Sequence, residues 1–405
     1  MKKILIIFLL ICVPFCVFAK DKTEKKKTLD RTFEIGLLNI DFNLANSFMT
    51  IKDVFKEVII IDLDKLSDGF KINFGLNIVP LYINYNSKKG WGFGLSAGVS
   101  AFGVVNLSGN MLSLNEAVKD NSDVGGAAFS SLTLNTFYEV KKFKIKINPS
   151  LYTALVYVAP PRSMTSSVIY TLDYSDGTVM NIDYASRVYI GYSLDNNFSI
   201  TSNPGLDFTI GMEYPLAKEI GLTDKLPILD FDVALDFINI PFIMSTLTDY
   251  IQVKGRVGED TPIKLINKDD DDDDSGLFSS DGVVKGTKVV QVSRPFKMLT
   301  RADWRPLSGN KFLTITPVIG FCYSEFYYQP FSFEGGLNAS LNLGSIFVLK
   351  GGLNYTDRMF VNNLGVVINS KIFEFDIGLD LRSQEISQLW KGTGFGLSFG
   401  LKFGW

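Results

Sequence analysis

From Phe395 onward every second residue is large and apolar. Phe395, Leu397, Phe399, Leu401, Phe403 and Trp405 are separated by Gly396, Ser398, Gly400, Lys402 and Gly404. A period of two puts the two sets on opposite faces of a β-strand. The pattern recurs along the chain. Phe373, Phe375, Ile377, Leu379 and Leu381 alternate with Glu374, Asp376, Gly378, Asp380 and Arg382. Leu229 to Phe237 alternates with Asp230, Asp232, Ala234 and Asp236, and Leu206 to Met212 with Asp207, Thr209, Gly211 and Glu213. Ile72 to Ile78 alternates with Lys71, Asn73, Gly75 and Asn77; Phe331 to Leu343 carries Glu334, and Phe347 to Tyr355 carries Lys350, on the polar phase. Many segments of about ten alternating residues are the signature of a transmembrane β-barrel, whose outer face meets lipid and whose inner face meets the lumen.

Sixteen strands are predicted, at 33–44, 70–85, 91–105, 128–140, 143–158, 168–174, 178–194, 204–214, 228–241, 286–304, 311–328, 330–343, 345–356, 361–369, 371–382 and 393–405. Connections 45–69, 106–127, 195–203, 242–285 and 383–392 are long. Connections 86–90, 141–142, 175–177, 305–310, 344 and 370 are short, and 215–227 breaks the alternation. The expectation is an all-β, closed antiparallel barrel over 33–405. The alternative is fourteen strands, with residues 20–69 forming a plug, or with 168–174 and 178–183 forming a hairpin on an outer loop. Pro80, Pro149 and Pro317 fall inside predicted strands. Each removes one ladder donor and should mark a bulge or kink, either near the rim where water satisfies the backbone or as a gap in the wall.

The first residues read as an address. Lys2 and Lys3 precede an apolar run from Ile4 to Phe18, and Val17 and Ala19 suit a cleavage site. A secretory signal peptide over 1–19, cut after Ala19, is therefore predicted, followed by a periplasmic segment over 20–32. Cleavage removes Cys12 and Cys16, leaves Cys322 alone, and takes the net charge from −3 to −5.

Composition narrows the chemistry. The 405 residues include 33 Phe and 35 Gly but no histidine. Mechanisms that need an imidazole base are excluded. No basic stripe suggests nucleic acid, and no cofactor is expected. Glu374 and Asp376 share a face and are the remaining carboxylate pair, although inward charges are expected in any water-filled barrel. Acidic inward candidates are Asp207, Glu213, Asp230, Asp232, Asp236, Glu334, Glu374, Asp376 and Asp380. Basic ones are Lys71, Lys144, Lys146, Arg187, Lys350, Arg382 and Lys402. Two arrangements fit these charges: opposed rows with a transverse field across the lumen, or local ion pairs that fill it. Asp269–Asp274, a run of six like charges, is expected to be an extended outer loop rather than a metal cage. No metal ligand set is assigned.

With these strands in place, the chain resembles a Gram-negative-type outer-membrane β-barrel. The motif that carries the resemblance is Gly400–Trp405, with Phe403 two residues before a final aromatic. It is similar to the end signal by which such barrels are recognised for insertion, except that Phe399 stands where a polar residue is usual. In size, acidic outer loop and N-terminal segment the chain is also similar, at the level of fold, to long-chain fatty-acid transporters. The resemblance implies outer-membrane location, a lipid bilayer and the assembly machinery as partners, and no enzyme activity. It also implies passive passage of small solutes, hydrophobic ones included. The alternatives are an adhesin that displays loops 106–127 and 242–285, or a structural barrel. Oligomeric state is not legible.

Overall fold

The computed structural model describes residues 31–47, 70–107, 123–158, 168–173, 177–193, 199–226, 228–257, 279–306, 312–327, 329–343, 346–370 and 372–405. The predicted signal peptide, the Asp269–Asp274 run and residues 48–69 of the predicted plug lie outside the described residues. The strands are β1 (Phe33–Asn46), β2 (Phe70–Ser87), β3 (Trp91–Leu107), β4 (Asp123–Val140), β5 (Phe143–Val158), β6 (Val168–Asp173) and β7 (Gly177–Ile190). They continue with β8 (Tyr192–Ser193), β9 (Ser199–Ile200), β10 (Gly205–Tyr214), β11 (Asp230–Ile243), β12 (Ser245–Val257), β13 (Ser279–Val292) and β14 (Phe296–Arg305). The last are β15 (Leu313–Tyr323), β16 (Phe331–Leu343), β17 (Phe347–Thr356), β18 (Met359–Asn369), β19 (Phe373–Ser383) and β20 (Gly394–Gly404). Two four-residue helices, α1 (Leu216–Glu219) and α2 (Leu222–Lys225), lie between β10 and β11. No helix among the described residues is long and apolar enough to cross a membrane.

The ladder closes. Antiparallel pairing runs β1–β2–β3–β4–β5–β10–β11–β14–β15–β16–β17–β18–β19–β20, and β20 returns to β1. Fourteen described strands form this ring, not sixteen. The two extra predicted strands are a hairpin of β6 and β7, the alternative the sequence left open. Passing along β5, the partner changes from β10, at Lys144–Tyr152, to β7, at Val156–Val158. β7 then pairs with β12, and β12 with β13. In this sector the wall is therefore built in two levels, with β10, β11 and β14 below and β7, β12 and β13 above. The predicted strand 286–304 is divided between those levels at Ser293–Pro295, where proline cannot donate to a ladder. Much of the predicted loop 242–285 is β12 and the start of β13. β1 is a wall strand between β20 and β2, so its residues are not plug.

Thr32 and Phe33 donate backbone N–H groups to the Trp405 carbonyl, so β1 begins where β20 ends. The same end carries most of the short turns, and the opposite end carries the long connections together with the two-residue turn Asp357–Arg358. The 215–229 connection belongs to the short-turn end despite its length, because it folds into α1 and α2. The outward phase of the ring strands is predominantly apolar, with a few neutral polar residues such as Thr300 and Asn362, and carries no charged side chain. Phe93, Leu95, Ile319, Leu337, Leu364, Ile377 and Leu397 all point out and are exposed; Ile319 is 58% and Leu364 59% exposed. A closed ladder leaves no edge donor or acceptor in hydrocarbon, and an uncharged outer belt needs no water, so this is a transmembrane barrel. Aromatic rings gather at the short-turn end of the belt. Phe33 packs 5.1 Å from Trp405, Phe143 stacks 4.5 Å from Tyr214, Tyr85 lies 5.5 Å from Trp91, and Trp304 donates its indole N–H to the Ile228 carbonyl at 2.7 Å. Such rings suit the membrane interface.

The prolines lie within the strands, not at the rim. Pro80 sits at a register break between Ile78 and Leu81. Facing it, Leu38 has φ of 56° and begins a bulge against β20. The β4–β5 ladder is interrupted beside Pro149, where the Thr136 N–H donates instead to Asn148 Oδ1 at 2.9 Å. The β14–β15 ladder skips Pro317. Beside Pro149, the Asn148 and Thr136 side chains thus take over part of the interrupted backbone bonding.

Candidate functional site: the barrel interior

Inward residues follow from register. On β14 the phase Lys297, Leu299, Arg301, Asp303, Arg305 faces the lumen, opposite Asp236, Asp232 and Asp230 of β11. Arg305 forks between Asp230 and Asp232, with Nε 3.0 Å from Asp230 Oδ2 and Nη1 2.9 Å from Asp232 Oδ2. Arg301 Nη1 lies 2.7 Å from Asp236 Oδ2, and Arg301 Nη2 3.9 Å from Glu213 Oε1. Glu213 in turn lies 3.7 Å from Lys146 Nζ. Across the ring, Lys350 meets Asp376 at 2.7 Å, Lys402 meets Glu374 at 2.7 Å, and Arg382 meets Asp380 at 2.9 Å. Asn338 and Asn354 exchange reciprocal amide hydrogen bonds at 3.0 and 2.8 Å.

These contacts decide between the two charge arrangements. Each acidic candidate named from the sequence meets a base on its own strand, on a neighbouring or next-but-one strand, or at the wall junction. Opposed rows are not what forms. Glycines on intervening strands make room for the longer spans: Gly320 is opposite Glu334, and Gly365 is opposite Lys350. Of the basic candidates, Lys144 lies 5.0 Å from the Phe137 ring. Arg187 belongs to β7, off the ring, and stands over Tyr250 at 5.4 Å. Lys71 sits at the long-connection end, where its backbone N–H donates to Ser47 Oγ at 3.1 Å. The residues that sequence reasoning missed are Arg31, Arg294, Lys297, Arg301, Asp303 and Arg305. The alternation of 297–305 was available as a signal, whereas Arg31 and Arg294 lie outside any strand.

Two further ion-pair sites stand out, one buried and one partly exposed. At the junction of the two wall levels, Arg294 grips Asp207 with both ends of its guanidinium, at 2.8 and 2.6 Å, and lies 5.2 Å from the Tyr152 ring. The Tyr152 hydroxyl donates toward the Ile243 and Val292 carbonyls, joining β5 to both levels. On β14, Lys297 Nζ sits 2.7 Å from Glu334 and 3.0 Å from Asp357. Cys322 Sγ and carboxylate oxygens of Glu334 and Asp357 lie within 4.8 Å of one another. The ammonium bonded to both carboxylates supplies the positive charge that a metal ion would bring.

The upper interior is apolar. Ala127, Phe129, Tyr152, Ala154, Tyr157, Tyr189, Leu247, Val292 and Phe326 form one buried cluster, with Phe102 and Tyr250 against it. Lower down, small inward residues leave space. A cavity of about 200 Å³ is lined by Asn39, Tyr82, Glu374, Asp376, Ser398, Gly400 and Lys402, among others. Gly400 thus borders a lumen cavity, while Phe403 points outward opposite Ile35 and Phe373. Trp405 is 66% exposed.

No family model and no curated protein matches the chain. Among solved structures it is similar to the P. putida toluene transporter TodX, at 9% identity over 93% of this chain and 90% of that chain, with a TM-score of 0.49. It is also similar to the Ralstonia pickettii toluene transporter TbuX, at 9% identity over 93% and 90%, with a TM-score of 0.46. A third is the KdgM porin in complex with disordered oligogalacturonate, at 10% identity over 91% and 99%, with a TM-score of 0.26. At these identities and scores the likeness adds nothing to what the closed ladder itself shows.

Proposed function

We propose that the chain is an outer-membrane channel or transporter for the passive passage of small solutes, hydrophobic ones included. Its short turns would face the periplasm and its long connections the outside, with the inward charges as its lining. The observation that carries this reading is the interior of the ring. An eight-stranded barrel is just filled by its own side chains, and the interior widens with strand number. Fourteen strands enclose more, and this chain lines much of the lower lumen with Gly, Ser and Asn beside paired charges. A barrel built only to hold loops or strengthen a membrane has no need of a polar lining with a cavity in it.

The test is planar-bilayer conductance of refolded protein, together with liposome uptake of small neutral and apolar solutes. Discrete conductance steps and uptake are expected. Because the lining charges are paired, cation and anion permeabilities should be close. A refolded barrel that passes neither ions nor solutes would refute the reading and leave display or structural support.

A further inference from the structure

We propose that the Ser324–Tyr327 turn, which leaves β15 toward β16, is a latch across the lumen, with Phe326 as its bolt, and that this contact sets the size limit for solutes. The inference rests on the channel reading above.

Phe326 belongs to a connection at the long-connection end, yet its side chain is fully buried. Its ring lies 4.6 Å from Phe102 on β3, 6.5 Å from Phe129 on β4 and 5.6 Å from Tyr157 on β5, edge-on in each case. In the ring, β15 is separated from β3 by β4, β5, β10, β11 and β14 on one side and by a still longer arc on the other. Phe102, Phe129 and Tyr157 are all on the inward phase, since Phe102 pairs with Ala127, Ala127 with Tyr157, and Phe129 with Ala154. The turn therefore meets the far wall through the interior. β4 is shaped to receive it. A Cβ on Gly125 would lie 2.8 Å from the Phe326 carbonyl oxygen, so a larger residue there would push the turn away.

The near side of the turn is anchored by the β17–β18 connection. Asp357 and Arg358 have φ of 50° and 64°. Two consecutive positive φ values are the pattern of a tight hairpin turn that favours Asn-Gly, and holding Arg there is costly. Their side chains account for the choice. The Arg358 guanidinium lies 4.1 Å from the Tyr327 ring and donates to the Gln329 carbonyl. Asp357 meets Lys297. Burial holds the Tyr327 phenol well above its ordinary value, so it stays neutral beneath the guanidinium. Beside β14 the turn is tied again, where Glu325 accepts the Ser293 N–H at 3.1 Å. On the far wall the turn is held by the Phe326 ring, seated among Phe102, Phe129 and Tyr157. The buried Ser324 Oγ has no hydrogen-bond partner. A turn fixed firmly at one end and held at the other by a seated ring is built to let go at the ring.

The test is single-channel conductance, with the exclusion limit read from polyethylene glycols of graded size, on heat-resistant refolded barrels. Phe326→Ala should raise conductance about twofold and admit larger polymers, since a pore's limit is set at its narrowest ring. Phe326→Trp, which still fills the cage, should keep the parent's limit or lower it. Arg358→Asn keeps a residue that tolerates positive φ but releases the anchor. It leaves the cage intact, so it tests the latch even where Phe326→Ala fails to assemble, and it should increase the fraction of time spent in the larger state. A silent parent with a conducting Phe326→Ala would also support the latch. A conducting parent whose Phe326→Ala and Arg358→Asn forms share its conductance and limit would overturn the latch and leave the channel reading standing. Silence of the parent and of all folded variants would overturn both.

Discussion

Asp207→Asn should be the most damaging single isosteric change among the lumen carboxylates. The Asp207 side chain is 1% exposed and Arg294 14%, and the pair is bidentate. Asn keeps one acceptor oxygen but leaves the guanidinium charge buried without a counter-charge. Removing one partner of a buried pair costs about 3–5 kcal/mol, and the retained acceptor puts the expectation at about 3 kcal/mol. Lys350 and Asp376 form the internal comparison. That pair is equally short, but its side chains are 49% and 38% exposed, so water screens it. Asp376→Asn should cost less than about 1 kcal/mol. Guanidinium unfolding of the two variants from lipid vesicles, followed by tryptophan fluorescence, gives the difference directly. Asp207→Leu combined with Arg294→Met should be milder than Asp207→Asn alone, because it removes both charges together. Equal midpoints for Asp207→Asn and Asp376→Asn would refute the claim that burial, not pairing distance, sets the value of these contacts.

Two further outcomes are expected. The Phe403→Ala, Trp405→Ala double variant loses outward apolar area and the end signal together, so it should insert poorly and accumulate in the periplasm; normal insertion with altered conductance would mean that these rings act on the lumen. Replacing Asp269–Asp274 by Ser and Gly should leave insertion and heat resistance unchanged, because the ring closes without that run and its repulsion is screened over about 8 Å at physiological salt; protease added to intact cells should cut between about residues 258 and 278, before β13 begins, and spare the barrel.

Alternation made the wall legible, because a period of two is all that a lipid-facing strand requires. It also made the inward acids legible, since Asp230, Asp232, Asp236, Glu374, Asp376 and Asp380 stand on the polar phase of unbroken runs. What alternation cannot carry is partnership. β6 and β7 read as ordinary strands, and only pairing reveals that β7 bonds to β12 and the tip of β5, which turns sixteen into fourteen. Pro295 is a visible break in the middle of the predicted strand 286–304, but no local signal says that the halves belong to different levels of the wall. Arg294 lies in that break and Arg31 before the first strand, so a rule built on strand phase passes over both. Arg31 nonetheless donates to Asn369 Oδ1 at 2.7 Å and to the Ser370 and Phe373 carbonyls, fastening the start of β1 to the β18–β19 turn. The Phe326 contact is further still from sequence, since it joins a turn to three strands that are remote along the chain.

The pairing also says what kind of solute the interior suits. Neighbouring strands lie about 4.8 Å apart, well inside the reach of an arginine or lysine side chain. An acid on one strand therefore finds a base on the next strand or the next but one before it can project a field across the lumen. Asp230, Asp232 and Arg305 do this at one level, Glu213, Asp236, Arg301 and Lys146 at another, and Glu374 with Lys402 on the opposite wall. A lining neutralised at such short range offers a passing ion little net potential and offers a neutral solute many donors and acceptors. Above it, the cluster around Phe129 offers neither charge nor ready hydrogen bonds, and an ion entering it would lose hydration without replacement. In the channel reading, the two zones in series therefore favour a small uncharged solute with an apolar face over an ion of the same size.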